Sequence, residues 1–336
     1  MRIALDAMGG DLGSELPIRG ALAAVTERDD IEVVLLGPRD LLERQLADIV
    51  GSDAGAIERI SVEHAPETVS MDESPVEAVR KKKNSTIMVG FDLVRNGRAD
   101  AVVSAGNSGA TMAAAIRKLG RLPGISRPGI ASFFPTLKKP VMIMDIGANV
   151  DCRPKHLLQF AIMASSCSRL LTHVERPRVG LLSIGEETGK GNALVKETHA
   201  LLQESSMNFI GNVEGRDVYR GDVDVIVCDG FVGNISLKIS EGLAEAAMEM
   251  LKSEIMKTLR AKLGYLLIRK AFHSFRKRVD YAEYGGAPLL GINGTGIICH
   301  GTSNAVALRN AISVAADMVR NEVNQSIIRT LREYAS

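Results

Sequence analysis

The sequence predicts a three-layer α/β/α fold built on a mostly parallel sheet, with a helical insertion. Three observations carry that prediction. Short apolar runs rich in Val and Ile recur along the chain, helical patterns separate them, and most runs end in Gly, Asp, Asn or Ser. Runs apolar on both faces suit strands that helices cover on both sides, and the small polar residues after them suit turns into helices.

In chain order the runs are RIALDAMGGD (2–11), EVVLLG (32–37), ISVEHA (60–65), DAVVSAGNSG (100–109), VMIMDIGAN (141–149), VGLLSIGEE (179–187) and DVIVCDGFVGN (224–234). Between them lie helical patterns such as IRGALAAVTER, PKHLLQFAIMASSCSRLL and NALVKETHALLQE. The segment 280–296 returns to strand and turn character. No repeat or low-complexity tract interrupts the order. The expected organisation is one α/β catalytic body over 1–336 with a basic amphipathic helical segment inserted at 244–280.

The chain has 336 residues, 46% hydrophobic and 24% charged, so it can build a sizeable core and is not expected to be disordered. A net charge of +1 argues against a nucleic-acid binder that works through bulk charge. No apolar run reaches the ~18 residues that a membrane span needs. The opening MRIALDAMGGDLG, with one basic residue and an acid by position 6, does not read as a secretory signal. Cys152, Cys167, Cys228 and Cys299 lie far apart with no CxxC, which suits a reducing cytoplasm.

In sheets of this kind ligands bind beyond the carboxyl ends of strands. Five loops there share one composition: DAMGGD, SAGNSGA, DIGANVD, IGEETGKGN and DGFVGN. The expectation is one pooled site lined by amides and backbone N–H groups, the alternative being five ordinary turns. Glycine lets backbone approach a ligand and helix N-termini attract anions, so phosphate is the first expected ligand. No GxGxxG follows a strand. GEETGKG (185–191) resembles a P-loop, but it has three residues between its glycines where four belong, and Gly191 replaces the Ser or Thr that would bind magnesium. The six histidines show no HxH or HxxxH spacing, and Asp145 and Asp151 flank a turn that they are expected to cap. No metal and no cofactor are expected.

Residues 252–278 hold nine Lys or Arg and a single acid, Glu254. This segment is net +8, which leaves the rest of a +1 chain at −7. Met248, Leu251, Ile255, Leu259, Leu263, Leu266 and Leu267 follow helical spacing, with Phe272 and Phe275 beyond them. An apolar stripe beside a basic face suits a lipid surface or an acidic partner. Packing on its own core or on a second subunit is the other reading. Gly264 is a possible break into two helices. The expected contact residues are Lys257, Arg260, Leu263, Leu266, Leu267, Arg269 and Lys270.

Taken together, DAMGGD, MDESPVEAVRKKKNST (71–86), SAGNSGA, DIGANVDC, SIGEETGKGN, DGFVGNISLK and LLGINGTGIICHGTSN resemble the PlsX family of phosphate acyltransferases, in order and over nearly the whole chain. The resemblance implies conversion of a long-chain acyl-ACP and inorganic phosphate to acyl phosphate and free acyl carrier protein, the entry step of phospholipid synthesis. It implies a homodimer, a peripheral place on the inner face of the cell membrane, and hand-over to a glycerol-3-phosphate acyltransferase. A more distant likeness to phosphate acetyltransferases implies their architecture, shared with isocitrate and isopropylmalate dehydrogenases. Where those enzymes carry a Ser-Arg-Gly triplet and a following acid, this chain reads Cys299-His300-Gly301, with no carboxylate before Asp317. Those two roles therefore do not transfer.

Phosphate attack on a thioester needs no cofactor: the nucleophile is already an anion and thiolate leaves readily. The protein must hold the phosphate, stabilise the oxyanion and manage the departing sulfur. Lys190, among the N–H groups of Gly189 and Gly191, is assigned to phosphate, or else is a surface lysine on a turn. The amides of Asn107, Asn149, Asn192 and Asn234 are donors to phosphate or oxyanion, unless each serves its own turn. Asn234 is counted with Lys190 and His300 as catalytic. His300 is the candidate proton donor to the thiolate, or a structural histidine under a Gly-rich turn. Ser108 lacks the GxSxG elbow, which favours a binding role over an acyl-serine. Asp6 and Asp229 end strands at the same edge and are expected to orient the amides or the histidine, with Gly9, Gly10, Asp145, Asn293 and Ser303 completing the lining. Arg80, Lys81, Lys82 and Lys83 form a second basic cluster, open to carrier protein or phosphate. The competing functions are a metal- and NAD-dependent decarboxylating dehydrogenase, a short-chain CoA-dependent phosphate acetyltransferase and a non-enzymatic membrane scaffold.

Overall fold

A computed structural model describes residues 1–50, 58–279 and 284–335. The first half runs β1 (Arg2–Asp6), α1 (Glu15–Glu27), β2 (Glu32–Gly37), α2 (Arg39–Val50), β3 (Ile60–His64), α3 (Pro75–Lys81), α4 (Thr86–Arg95), β4 (Ala101–Ser104), α5 (Ser108–Leu119) and β5 (Gly129–Phe134). The second half runs β6 (Val141–Met144), α6 (Pro154–Thr172), β7 (Val179–Leu182), α7 (Ala193–Glu204), β8 (Phe209–Val213), β9 (Val225–Val227), α8 (Gly230–Met256) and α9 (Leu259–Val279). β10 (Ala287–Leu290), β11 (Thr295–Ile298), α10 (Ala305–Arg320) and α11 (Val323–Ala335) close the chain.

The strands form one sheet in the order β3-β2-β1-β4-β11-β10-β5-β6-β9-β7-β8. Alternation along each strand builds a core on both faces. Ile3 and Leu5 of β1, with Met142 and Met144 of β6, face α1, α6 and α10. Ala4 of β1, with Val141 and Ile143 of β6, join the opposite cluster, where α4 and α5 lie. Phe160 and Phe91, each fully buried, anchor the two clusters, and each stabilises the fold by roughly 1.5–3 kcal/mol.

The direction of the strands decides where the loops lie. β1, β2, β3, β4 and β11 run parallel to one another, and β6, β7, β8 and β9 do likewise. Between the blocks β10 pairs antiparallel with β11 and with β5, and β5 pairs antiparallel with β6. The two parallel blocks therefore run in opposite senses. Their carboxyl ends open at opposite edges of one sheet, which we call the first and second edges. The loops expected to pool at a single place are thus divided within a chain. DAMGGD, SAGNSGA and the Cys299-His300-Gly301 loop share the first edge, while DIGANVD, IGEETGKGN and DGFVGN share the second. Asp6 and Asp229, expected at the same edge, therefore stand at opposite ones, because β5 and β10 reverse the sheet between them.

Helix α8 joins the two edges. Asp229 caps it, its Oδ1 accepting the N–H groups of Phe231 and Val232 at 3.0 Å each. Twenty-seven residues at 1.5 Å each make a helix about 40 Å long, far longer than the strands of three to six residues it crosses. It starts at the second edge and overshoots the first, and α9 returns beside it. The basic segment is therefore the outer part of a helical hairpin. The chain breaks at Lys257–Thr258 and stays helical through Gly264. The end of the expected insertion, at residue 280, lies outside the described residues.

Candidate active site

At the first edge a buried carboxylate organises three loops. Asp6 Oδ2 accepts the Ser104 hydroxyl at 2.7 Å and Oδ1 accepts the Met8 N–H at 3.1 Å. Burial raises its pKa above the ordinary aspartate value, against the opposing effect of those hydrogen bonds. A Cβ on Gly9 would overlap this carboxylate and lie 2.8 Å from Gly106 N, so backbone meets backbone only through glycine. Asp11 N–H donates to Gly301 O at 2.8 Å, tying the loop after β1 to the loop after β11, and Gly10 packs against the same carbonyl.

Here the structure commits groups that the sequence had offered to a ligand. Asn107 Nδ2 donates to Met71 O at 2.9 Å and Glu73 O at 3.1 Å, while its Oδ1 caps α5 at Ala110 N–H. Its amide holds the 70–73 segment and has nothing left for phosphate. Ser303 is buried and donates its N–H to His300 O. Lys82 donates to Glu73 and to Thr68 O, and Lys81 pairs with Glu77. Ser108 is exposed at the start of α5. His300 is exposed too; Thr302 N–H donates to its Nδ1 at 3.3 Å, with the Thr302 hydroxyl 2.8 Å from the same nitrogen. That arrangement assigns the ring proton to Nε2.

At the second edge the same device recurs. Asp145 is fully buried at the end of β6. Its Oδ2 accepts Asn149 N–H at 2.6 Å and Asn149 Nδ2 at 3.1 Å, and its Oδ1 accepts Ile130 N–H at 2.9 Å. Burial raises its pKa as well, again against these bonds. Asn149 is itself buried and also donates to Pro128 O, so this amide is structural. A Cβ on Gly233 would overlap Asp145 O, which locks the first turn of α8 onto the loop after β6. Gly147, at φ +132°, meets Asn234 from the same side. Cys152 donates its thiol hydrogen to Asn149 O, and its pKa is pushed up to about 11 by burial and by Asp145 and Asp229. It is an inert thiol.

Lys190 and Asn234 are open at this edge. Lys190 is exposed in the turn before α7 and makes no ion pair among the described residues. Gly191 takes φ +95°, and its Cβ position is filled by Val195, so only glycine passes there. Gly189 has open space beside it. Asn192 Oδ1 caps α7 at Val195 N–H, 2.9 Å away. Asn234 is exposed in the first turn of α8, with no side-chain hydrogen bond among the described residues. Asn293 lies on the β10–β11 turn at this same edge, its N–H bonded to Gly120 O.

The cleft between the hairpin and the β5–β6 turn escapes sequence reasoning. It measures about 1530 Å³, and its walls include Phe134, Leu237, Met248 and Phe272. Asn304, four residues after His300, also lines it. The FFPTL run (133–137), apolar up to a Pro, was the available signal. Among the described residues no group of three or more His, Cys, Asp or Glu side chains gathers as metal ligands do, and no helix is long and apolar enough to cross a membrane.

The model of the fatty acid synthesis protein family matches residues 1–326. The chain belongs to that family, the PlsX family of the resemblance above. A phosphate acyltransferase of Geotalea uraniireducens (strain Rf4) is 55% identical over 335 residues, covering 99% of this chain and 95% of its own. That of Geobacter sulfurreducens is 54% identical over 329 residues, covering 97% and 93%. Membership makes the chain an acyltransferase of fatty acid and phospholipid synthesis. Among solved structures, the EutD phosphotransacetylase from Staphylococcus aureus superposes with a TM-score of 0.63 at 20% identity, covering 95% of this chain and 94% of its own. A phosphotransacetylase from Streptococcus pyogenes gives 0.61 at 18%, with the same coverage. At those identities the family member shares their fold, a three-layer α/β architecture on a mostly parallel sheet.

Proposed function

We propose that this chain transfers a long acyl group from acyl carrier protein to inorganic phosphate, giving acyl phosphate and free carrier protein. The observation that carries this reading is the uncommitted pair at the second edge. Lys190 and Asn234 are exposed donors on rigid supports, while the Asn149 amide is spent on the fold and Asn192 gives its Oδ1 to the cap of α7. Phosphate sits on the Gly189–Gly191 turn at the N-terminus of α7, neutralised by Lys190. One of its oxygens forms a bond to the thioester carbonyl carbon, and the carbonyl oxygen becomes an oxyanion that accepts from Asn234 Nδ2. As the tetrahedral intermediate collapses, the C–S bond breaks and its electron pair leaves with sulfur as a thiolate, which accepts a hydrogen bond from His300 Nε2–H in this reading and takes its proton from water.

His300 lies on the first edge and Lys190 on the second, so the site is completed by a second copy. An apolar stripe, Phe231, Ile235, Ile239 and Leu243, runs exposed along α8 from the second edge to the first. Two such helices packed antiparallel about a two-fold axis set the second edge of one copy against the first edge of the other. A homodimer thereby forms two composite sites and covers the stripe.

The hairpin serves the membrane surface. Leu263, Leu266 and Leu267 are exposed near its tip, Leu267 to 88%, beside Lys257, Arg260, Arg269 and Lys270. That pattern suits anionic lipid, where an insoluble product passes to a glycerol-3-phosphate acyltransferase. To test the reaction, purified protein is incubated with palmitoyl-ACP with and without phosphate. Acyl phosphate and free carrier protein, formed only when phosphate is present, are expected. Turnover of acetyl-CoA in preference would replace this reading with a short-chain phosphate acetyltransferase.

A further inference from the structure

We infer that the cleft between the α8–α9 hairpin and the β5–β6 turn holds the acyl chain, and that the α8 residues facing it set chain length. This rests on the acyl transfer proposed above and names the place where that substrate lies. The cleft volume of about 1530 Å³ exceeds the roughly 300–1,000 Å³ that a drug-sized ligand occupies. Its walls are apolar yet unfilled away from that stripe on α8: Met256 and Phe275 are each more than half exposed. Water in contact with so much apolar surface is readily displaced by a hydrocarbon chain.

Two features select an acyl chain over other apolar occupants. One end of the cleft reaches Asn304, at the N-terminus of α10, in the loop that carries His300. A chain seated there places its carbonyl end at the His300 loop and its methyl end toward the hairpin. Along the hairpin, Leu243, Met248, Met256, Phe272 and Phe275 line the cleft, so the methyl end meets apolar wall. Ala244 and Ala247 leave room on the α8 wall, while Met248 occupies it. Each methylene buried should tighten binding about fourfold until the wall is reached.

The test compares release of free carrier from octanoyl-, dodecanoyl-, palmitoyl- and stearoyl-ACP, together with binding of a fluorescent 16-carbon polyene fatty acid. Ala247→Trp is expected to lower the ratio of palmitoyl to octanoyl turnover by about tenfold or more, and to weaken the probe by a similar factor. Met248→Ala opens the cleft and is expected to move the optimum toward stearoyl, a gain that misfolding does not produce. An unchanged chain-length profile in both variants, with wild type active, overturns the inference and leaves the proposed reaction standing. If wild type turns over none of the four carriers, the proposed reaction fails and the probe decides alone. Binding lost in Ala247→Trp then supports an acyl cleft, and equal binding by variant and wild type overturns it. A cleft filled by the second copy predicts instead that Ala247→Trp changes the sedimentation of the dimer without changing the ratio, and that result also overturns the inference.

Discussion

The two edges of the sheet are built alike and used differently. Each is organised by a buried aspartate at the end of a strand, Asp6 in one and Asp145 in the other, that accepts N–H groups from the loop after it. Each needs a glycine where backbone passes backbone, Gly9 or Gly233. At the first edge the neighbouring amide, Asn107, is then spent on holding the 70–73 segment, and the exposed donor is His300. At the second edge Asn149 is spent and Lys190 and Asn234 stay open. The buried groups make the loops rigid, and the exposed ones are those proposed to meet substrate. Small polar composition alone does not separate the two classes; burial and hydrogen bonding do.

That contrast is open to attack in order of effect. Removing an uncommitted donor should cost most in turnover: Lys190→Ala and Asn234→Ala are each expected to lower kcat/KM by about 10²–10³ with little change in melting temperature, read by carrier release and calorimetry. Touching the frame should do the reverse. Gly233→Ala forces a methyl against Asp145 O and should destabilise the fold by about 3 kcal/mol in urea unfolding. Asn107→Ala removes a helix cap and the anchor of 70–73, so about 1–2 kcal/mol of stability should go, while the folded fraction keeps turnover within about tenfold. If Asn107→Ala behaves like Asn234→Ala, the division between frame and donors is wrong.

Smaller effects test the hairpin and the buried acids. Leu267→Glu should weaken binding to anionic vesicles about tenfold in a flotation assay and leave turnover in detergent unchanged. Asp145 has a raised pKa in the fold, so the stability linked to its protonation is present below the unfolded value of about 3.9 and is lost as pH rises through the folded value. The stability margin of wild type over Asp145→Asn, followed by urea midpoints, should therefore narrow as pH rises. A margin that widens would mean that the N–H donors outweigh burial.

Much of the fold was legible because buried parallel strands write continuous apolar runs, and β1, β4, β6, β7 and β9 each lie within one. The exposed loop residues proposed to face substrate were singled out through loops whose composition demands glycine and amides. Strand direction was not. The antiparallel pairing of β5 and β10 between the blocks reverses the second half of the sheet, and nothing local in 129–134 or 287–290 encodes which neighbour each strand takes. So five similar loops suggested one site where a single chain divides them between two edges. The commitment of Asn107 was hidden for a related reason: its carbonyl partners lie more than thirty residues away. Gly264 misled as a helix break because an isolated glycine costs only about 1 kcal/mol in a helix.

The most direct test of the account is subunit complementation. Lys190→Ala and His300→Ala chains, each inactive alone, are unfolded together, refolded as a mixture and assayed for phosphate-dependent release of carrier protein from palmitoyl-ACP. If each site takes Lys190 from one copy and His300 from the other, every mixed dimer keeps one intact site, and random pairing should restore about a quarter of wild-type activity. If the two residues act within one chain, no dimer holds an intact site. Activity that stays at the level of the separate variants would contradict the account.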